Sequence, residues 1–476
     1  MSSDTLTSAM PGTATTAKSD RAFLGHPAGL GWLAFCELWE RFSYYGMQGL
    51  LVLYATQYLF MPEHIGNVSG MDSLRAAIEF FQGPRSAQQL GSMIFGIYAA
   101  CVYLTPIFGG MLADRLLGRT KTVTIGALLM ALGHFLMAFE VYFLWALACL
   151  IIGVGCFKGN IAAQVGDLYG PEDKRRSRAF QIFMLSVQIA VIAAPLVCGT
   201  LGEKVGWHWG FGSAGVGMLI GLVVYLFARP WLPREVPRDK RVREVRAPLT
   251  RDEWKRMALL VALLPVLMLS VVGNQQFQNA FPQWSDRYMD LVLFGWQVPV
   301  TWLQAVDALI STGTMLAIIA FWRWWATHRR EPSDLVKMAL GSFVAALAPS
   351  AMIIAAQMIA STGHKVGFIW TVIYSLINDI GFGNILPIGL ALYSRAAPRN
   401  MAGAIVGVYY LHLFIGNFFV GWLAGLLDKL PGTVFWGLHA VLVAAAGVLL
   451  LLAHGFFGKL LAEDDELPPE AATERV

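Results

Sequence analysis

The stretch ELWERFSYYG, residues 37–46, decides how this chain is interpreted, because it places three charged side chains inside an apolar run. LGHPAGLGWLAFC (24–36) precedes it and MQGLLVLYATQYLF (47–60) follows it. One charged residue at the centre of a membrane-spanning helix costs about 2.5–3.5 kcal/mol on insertion scales. We therefore expect Glu37, Glu40 and Arg41 to have a role that offsets this cost.

The composition indicates that most of the chain lies in a lipid bilayer. Of its 476 residues, 56% are hydrophobic and only 14% are charged, with a mean hydropathy of +0.56. Soluble domains have about 25% charged residues. The five cysteines lie in apolar segments without metal-ligand spacing, so we expect them to pack rather than to bind a metal. The sequence predicts an all-α polytopic membrane protein.

Twelve segments are long enough to cross a hydrocarbon core about 30 Å thick. The predicted spans are 29–58, 88–113, 121–142, 144–168, 178–200, 208–229, 256–284, 300–325, 334–361, 366–393, 401–427 and 432–456. We divide the chain into a disordered tail (1–27), an N-terminal six-helix bundle (28–229), a linker (230–255), a C-terminal six-helix bundle (256–457) and a second tail (458–476).

The basic residues orient these spans. Of the 35 Lys and Arg residues, the predicted outer loops hold only Arg75, Arg85, Lys204, Arg287, Lys365 and Lys429. Arg41 and Lys158 lie inside spans, and the others lie in the inner loops and tails. This bias predicts that both termini are cytoplasmic. It also accounts for the basic charge of the linker, so we expect no nucleic-acid partner.

Helical spacing explains how the charges of the first span are accommodated. Positions 37, 40, 41, 44, 45 and 48 fall on one stripe of a helix, the face opposite lipid. Two acids beside an arginine in a medium of low dielectric can exchange a proton as their partners move. Together with Lys158 of span 4, the set is neutral when all four are charged. The alternative is that these ion pairs are structural and only hold two helices together.

The two halves resemble each other in a loop that recurs six spans apart. GGMLADRLLGRTK (109–121) follows span 2, and WRWWATHRREPSDLVK (322–337) follows span 8. Such internal repeats are typical of alternating-access transporters. GGxxADRxxGRxK resembles the loop signature of the major facilitator superfamily, which implies a fold of twelve transmembrane helices in two six-helix halves.

A narrower resemblance, to the proton-dependent oligopeptide transporters, covers nearly the whole chain after residue 27. ELWERFSYYG is similar to that family's first-helix motif, and GVGCFKGN (153–160) to its fourth helix, with Lys158 at the family's lysine. REPSDLVKMALG (330–341) and LPIGLALYSRAAPRNMAG (386–403) also resemble family segments. Many bacterial members insert two further helices between the halves. The linker here is too short and polar for that.

The resemblance implies a proton-coupled symporter that imports di- and tripeptides across the bacterial inner membrane. It implies no cofactor, and we expect the protein to be monomeric in the bilayer. The alternative is another small carboxylate-bearing or polar metabolite carried by the same machinery. An enzyme would need a nucleophile–base pair or a cluster of metal ligands, and no HExxH, GxSxG or Cys/His cluster is present. A receptor on a transporter scaffold stays open.

By resemblance, individual residues receive roles. Proton coupling falls to Glu37, Glu40, Arg41 and Lys158, and the two cations also bind the substrate carboxylate. Tyr45, Tyr103 and Tyr409 are assigned to the substrate pocket, with hydrogen-bonded packing as the alternative for Tyr45 and Tyr103. Three residues at the inner end of span 2 are assigned to gating, namely Asp114, Arg115 and Arg119.

The sequence departs from the family pattern at three pocket positions. Gln48 and Gln275 stand where the family usually has an arginine and a glutamate, so we expect a neutral hydrogen bond instead of an ion pair. Phe382 replaces the glutamate that binds the peptide amine. Asp307, where the family usually has asparagine, is the favoured substitute for that charge. Asp379 and a change of substrate are the alternatives.

Overall fold

The chain is described as a computed structural model over residues 20–170, 173–233, 249–398 and 401–461. Most of the predicted linker and most of both predicted tails lie outside these residues, so those boundaries stay predictions. Seven helices make up the first half: α1 (Ala28–Tyr54), α2 (Met71–Gln82), α3 (Ala87–Leu112), α4 (Arg119–Leu136), α5 (Phe143–Asp167), α6 (Arg175–Ala194) and α7 (Trp207–Ala228).

The second half contains nine helices in the described residues, because two of its crossings are broken. They are α8 (Arg251–Ser270), α9 (Val272–Gln276), α10 (Ala280–Tyr288), α11 (Trp302–His328), α12 (Asp334–Thr362), α13 (Ile369–Gly383), α14 (Leu386–Ala396), α15 (Ala402–Ala424) and α16 (Gly432–Leu461). Four two-residue strands lie in its loops: β1 (Met289–Asp290), β2 (Val292–Leu293), β3 (Trp296–Gln297) and β4 (Val366–Gly367). β1 pairs parallel with β4, and β2 pairs antiparallel with β3.

The prediction of an all-α membrane protein is confirmed, and each predicted span coincides with a helix or a broken helix. In the described part of the chain, nine helical segments are long and apolar enough by themselves to cross a membrane. The other three crossings are α1, which has three charges at its centre, α4, which begins with two basic residues, and the broken α8–α10.

Proline explains two of the three breaks in these crossings, which the predicted continuous spans missed; the break at Val271, between α8 and α9, is followed by no proline in α9. Pro282 is the third residue of α10 and Pro387 is the second residue of α14. Proline has no N–H to donate to the preceding turn, so each helix restarts at its proline. These two breaks leave residues 277–279 and 384–385 outside the helices, near the middle of their crossings.

The two halves meet along α3 against α15 and along α6 against α11. Gly96 and Gly421 allow the first contact, since a Cβ on Gly96 would lie 2.6 Å from the Gly421 Cα. With an even number of crossings, both ends of the described chain lie at the same face of the bundle. We call this end the terminal face, and we call the end that carries the 60–70 and 289–300 loops the opposite face.

Candidate functional site

The charged stripe of α1 is buried inside the bundle. Glu37, Glu40 and Arg41 are 4%, 0% and 4% exposed. Their spacing places all three on one face of the helix, together with Tyr44 and Gln48, which are also buried. The structure therefore brings the first group of predicted residues into one cluster.

Arg41 is shared between the two glutamates. Its Nε lies 3.0 Å from Glu37 Oε1, and its Nη2 donates a 2.9 Å hydrogen bond to Glu40 Oε1. Nε also contacts the second Glu40 oxygen. Glu37 Oε2 has no hydrogen-bond partner among the described residues. Two acids thus compete for one guanidinium, and a proton or another cation has to balance the remaining negative charge.

Lys158 is close to this cluster but is not bonded to it. It lies on α5, within electrostatic range of Glu37 and Glu40. In the part of the chain that the structure describes, it forms no ion pair within 4.0 Å. Its ammonium instead lies 5.2 Å from the centre of the Tyr103 ring. The predicted set of four charges is therefore a three-membered ion cluster with a separate lysine.

The predicted pocket residues of the first half surround these charges. Tyr45 is half-buried edge-on against Tyr44, whose ring lies 5.3 Å from the Arg41 guanidinium. Tyr103 is half-buried, and its hydroxyl points toward Gln275 of the second half. Gln48 and Gln275 are both buried. The expected hydrogen bond between these two glutamines is absent among the described side chains.

Acidic residues without a basic partner lie in the second half. Asp307 of α11 and Asp379 of α13 are within electrostatic range of each other. Asn378 Nδ2 donates a 3.3 Å hydrogen bond to Asp379 Oδ1. Asp307 Oδ1 and Asp379 Oδ2 are buried and have no hydrogen-bond partner among the described residues. Either acid is therefore placed to receive a positive charge.

Phe382 and Tyr409, the two aromatic residues of the second half that were predicted to line the pocket, have different surroundings. Phe382 is half-buried in one apolar cluster with Tyr103 and Tyr410. Tyr409 is fully buried, and its hydroxyl donates a 2.7 Å hydrogen bond to Leu386 O at the start of α14. The Tyr409 hydroxyl therefore ties α15 to the start of α14, and its neighbour Tyr410 lies near Tyr103, so the place of Tyr409 in the pocket stays a prediction.

Sequence reasoning also missed Tyr98 of α3. It is 1% exposed, lies within electrostatic range of Glu40 and Arg41, and has a hydroxyl without a partner among the described residues. Nothing in its sequence neighbourhood marks it, because it belongs to none of the motifs and has no charge. Only the packing of α3 against α1 reveals it.

The predicted gating residues lie at the terminal face. Arg119 pairs with Asp167, which joins the start of α4 to the end of α5. Asp114 and Arg115 are exposed at the end of α3. The repeated loop has a matching contact between Arg395 and Asp334, which joins α14 to α12.

At the opposite face, hydrogen bonds connect the two halves. The Glu203 carboxylate accepts from Val300 N at 2.7 Å and from Thr301 N at 2.8 Å. Trp302 Nε1 donates to Thr200 Oγ1 at 2.8 Å. Further bonds join α3 to the second half, from Gln88 to Gln283 and from Gln283 and Asn279 to Ser92. The bundle is thus closed at this face.

The described residues contain no group of three or more His, Cys, Asp or Glu side chains arranged to hold a metal ion. The chemistry of the site is that of charge pairing and proton exchange between two halves. The first half contributes two cations with two carboxylates, and the second half contributes two further carboxylates.

Comparison with known proteins gives consistent matches along the chain. A sequence model of the Major Facilitator Superfamily matches residues 42–421. The peptide transporter YePEPT of Yersinia enterocolitica is 30% identical, over 92% of this chain and 96% of its own length. A di-/tripeptide transporter of Lactococcus lactis is 26% identical, over 94% and 99%. The crystal structure of peptide transporter POT in complex with sulfate is similar at a TM-score of 0.79 and 25% identity, covering 93% and 97%.

Proposed function

Since this chain belongs to the Major Facilitator Superfamily, and within it to the proton-dependent oligopeptide transporters, we propose that it imports small peptides together with protons by alternating access. The observation that carries this proposal is the charge arrangement between the halves. Arg41 holds Glu37 and Glu40, Lys158 has no anionic partner among the described residues, and Asp307 of the second half has no ion-pair partner among them. A zwitterion, which has one charge of each sign, complements this arrangement.

The substrate carboxylate binds at Lys158, with Arg41 as the second cation. Lys158 is the better placed of the two, because both glutamates already occupy Arg41. When a carboxylate approaches Arg41, it weakens the hold of the guanidinium on one glutamate. That glutamate then takes a proton more readily, since a buried carboxylate without its partner is costly. This competition couples substrate binding to proton binding.

The substrate ammonium binds at Asp307. Its Oδ1 has no partner among the described residues, whereas Asp379 already accepts from Asn378. Asp379 is the alternative. Tyr45, Gln48, Tyr103, Gln275 and Phe382 form the rest of the pocket. Phe382 supplies an apolar surface where relatives of this family have a carboxylate, so side-chain preference is expected to differ from theirs.

Alternating access follows from the two halves and the closed opposite face. Both termini are cytoplasmic in this proposal, so the hydrogen bonds of Glu203, Gln88 and Ser92 close the outer side. Import requires these bonds to break while the terminal face closes through Asp114, Arg115 and Arg119. The protein works as a monomer in the bacterial inner membrane, driven by the proton gradient without a cofactor.

Uptake of labelled dialanine into proteoliposomes with an inward proton gradient tests the proposal. We expect accumulation above the outside concentration, and we expect it to collapse when a protonophore is added. Accumulation of a different carboxylate-bearing metabolite, with no dialanine uptake, favours the alternative substrate. No uptake of either, with retained binding, points to a receptor and overturns the proposal.

A further inference from the structure

A group of buried oxygen atoms in the second half has no cation beside it among the described residues. Asp307 lies on α11, and Ser375, Asn378 and Asp379 lie on one stripe of α13. The last three are 0%, 1% and 4% exposed. In the described part of the chain, one oxygen of each of the four side chains is buried without a hydrogen-bond partner. We call these four residues the second-half oxygen cluster.

The cluster lies beside the first break of the second half. Tyr374, on the same helix as Ser375, Asn378 and Asp379, donates a 2.7 Å hydrogen bond to Gly273 O, in the first turn of α9, directly after that break. A Cβ on Gly273 would lie 3.6 Å from Asn378 Oδ1, so that amide oxygen faces the break. The Ser375 hydroxyl lies next to Asp307. Broken helices near the middle of a transporter are where coupling ions bind.

Among the described side chains, no basic group compensates this cluster. Over the described interior of the helices packed against it, the titratable groups are Asp307, Asp379 and Tyr374, and the Tyr374 hydroxyl is engaged with Gly273. His439 of α16 bonds to Gln276 instead. The charged residues of the neighbouring helices lie at their ends: Arg175, Arg176, Arg178, Arg323, His328, Asp334, Lys337 and Arg395. Arg323 follows Asp307 by sixteen residues, about 24 Å of helix.

The charges of the site do not balance with a peptide alone. In the first half, Arg41 and Lys158 offset Glu37 and Glu40, and the proton carried there offsets the negative charge that the peptide carboxylate adds. The second-half oxygen cluster contributes two carboxylates, and a peptide brings one ammonium to them. One buried negative charge is left, and leaving a buried charge uncompensated is strongly unfavourable.

We propose that the second-half oxygen cluster binds one monovalent cation, a proton or a sodium ion, which travels with the substrate in addition to the proton carried at Glu37 and Glu40. Asp379 is its main ligand, with Asn378 Oδ1 and Ser375 Oγ completing the set for sodium. This inference rests on the proposed function, because it assigns the peptide ammonium to Asp307.

Thermal unfolding of the purified protein tests the site without transport. We compare the wild type, Asp379→Asn and the exposed-loop control Asp290→Asn, in NaCl and in choline chloride at equal ionic strength. For a sodium site, NaCl raises the Tm of the wild type and the control but not of Asp379→Asn. Ser375→Ala reduces that rise without removing a charge.

The same experiment at falling pH tests for a proton. A carboxylate pair that holds a proton in the folded state stabilises the protein at low pH and loses this contribution as the pH rises. For a proton site, acidification therefore raises the Tm less in Asp379→Asn than in the wild type and Asp290→Asn. The proposal is overturned if Asp379→Asn responds to both sodium and pH as the wild type does.

Reversal-potential measurements on proteoliposomes give the number of cations per peptide. We expect two in the wild type and one in Asp379→Asn. An equal number in both proteins overturns the proposal. If the wild type transports no peptide, the proposed function fails, and the unfolding comparison still decides whether the cluster binds a cation.

Discussion

The Lys158 ammonium lies 5.2 Å from the centre of the Tyr103 ring. Lys158 is on α5, whereas Arg41, whose guanidinium pairs with both glutamates, is on α1. A cation above an aromatic face is stabilised by about 0.5–2 kcal/mol. This contact can hold the ammonium in place, but the ring has no net charge and leaves the positive charge uncompensated. Lys158 is thus held in place while its charge stays available to an anion. The two cations of this site therefore have different partners.

The first prediction concerns the substrate carboxylate. Converting it to an amide removes one charge-assisted hydrogen bond, which contributes about 1.5–3 kcal/mol, so competition for uptake should weaken about 10- to 150-fold. In Lys158→Gln the free acid should weaken to a similar degree and the amide should change little. An amide that competes as well as the free acid contradicts the assignment.

The second prediction concerns proton coupling. Glu37→Gln and Glu40→Gln each remove a carboxylate that shares Arg41, so proton-driven accumulation should be lost. Downhill exchange of labelled for unlabelled peptide should continue, because it needs no net proton movement. Glu63→Gln, in an exposed loop, is the matched control. If both α1 variants accumulate peptide as the control does, the coupling is elsewhere.

The third prediction separates the two acids of the second half. Asp307→Asn keeps the size of the side chain and removes the charge that we assign to the ammonium. Free dipeptide should then compete at least about 10-fold more weakly, whereas its N-acetyl form should be unaffected. Normal competition in Asp307→Asn together with a loss in Asp379→Asn would move the ammonium to Asp379. If neither variant changes, the substrate has no ammonium at this site.

The fourth prediction concerns the closed face. Glu203 caps the start of α11 from the other half of the molecule, and losing such a cap costs about 0.5–2 kcal/mol. Glu203→Ala should therefore shift the balance toward the state open at this face by about 2- to 30-fold. Spin labels at Ser73 and Val292, in a background without the native cysteines, report this as a longer distance population. If Glu203→Ala gives the same distance distribution as the control Glu63→Ala, Glu203 does not contribute to closing this face.

The positions of the spans could be predicted from the sequence, because the length of each apolar segment and the basic residues of the loops determine where a span begins and ends. α12 begins at Asp334 and α16 begins at Gly432, as predicted from hydropathy alone. Pro282 and Pro387 could have suggested helix breaks from the sequence. Prolines also occur, however, inside the helices α3, α8 and α12, which continue through them. Proline alone therefore does not show which crossing is interrupted.

The site was predictable where charge or a motif marked it. The spacing of Glu37, Glu40 and Arg41 fixed their common face, whereas the separation of Lys158 depends on how α5 packs against α3 and α1. Whether Tyr409 or its neighbour Tyr410 lies near Tyr103 depends on the rotation of α15 about its axis, which the sequence of a uniformly apolar helix does not reveal. Ser375 and Asn378 have no charge, so only their unpartnered oxygens mark them.

The most direct test of the central claim is to measure whether peptide carries protons with it. Proteoliposomes with a pH-sensitive dye inside and no imposed gradient receive dialanine outside. The account predicts that the lumen acidifies, saturably with peptide, in the wild type and in Glu63→Gln but not in Glu37→Gln. Entry of labelled dialanine at a normal rate with no acidification in the wild type would contradict it.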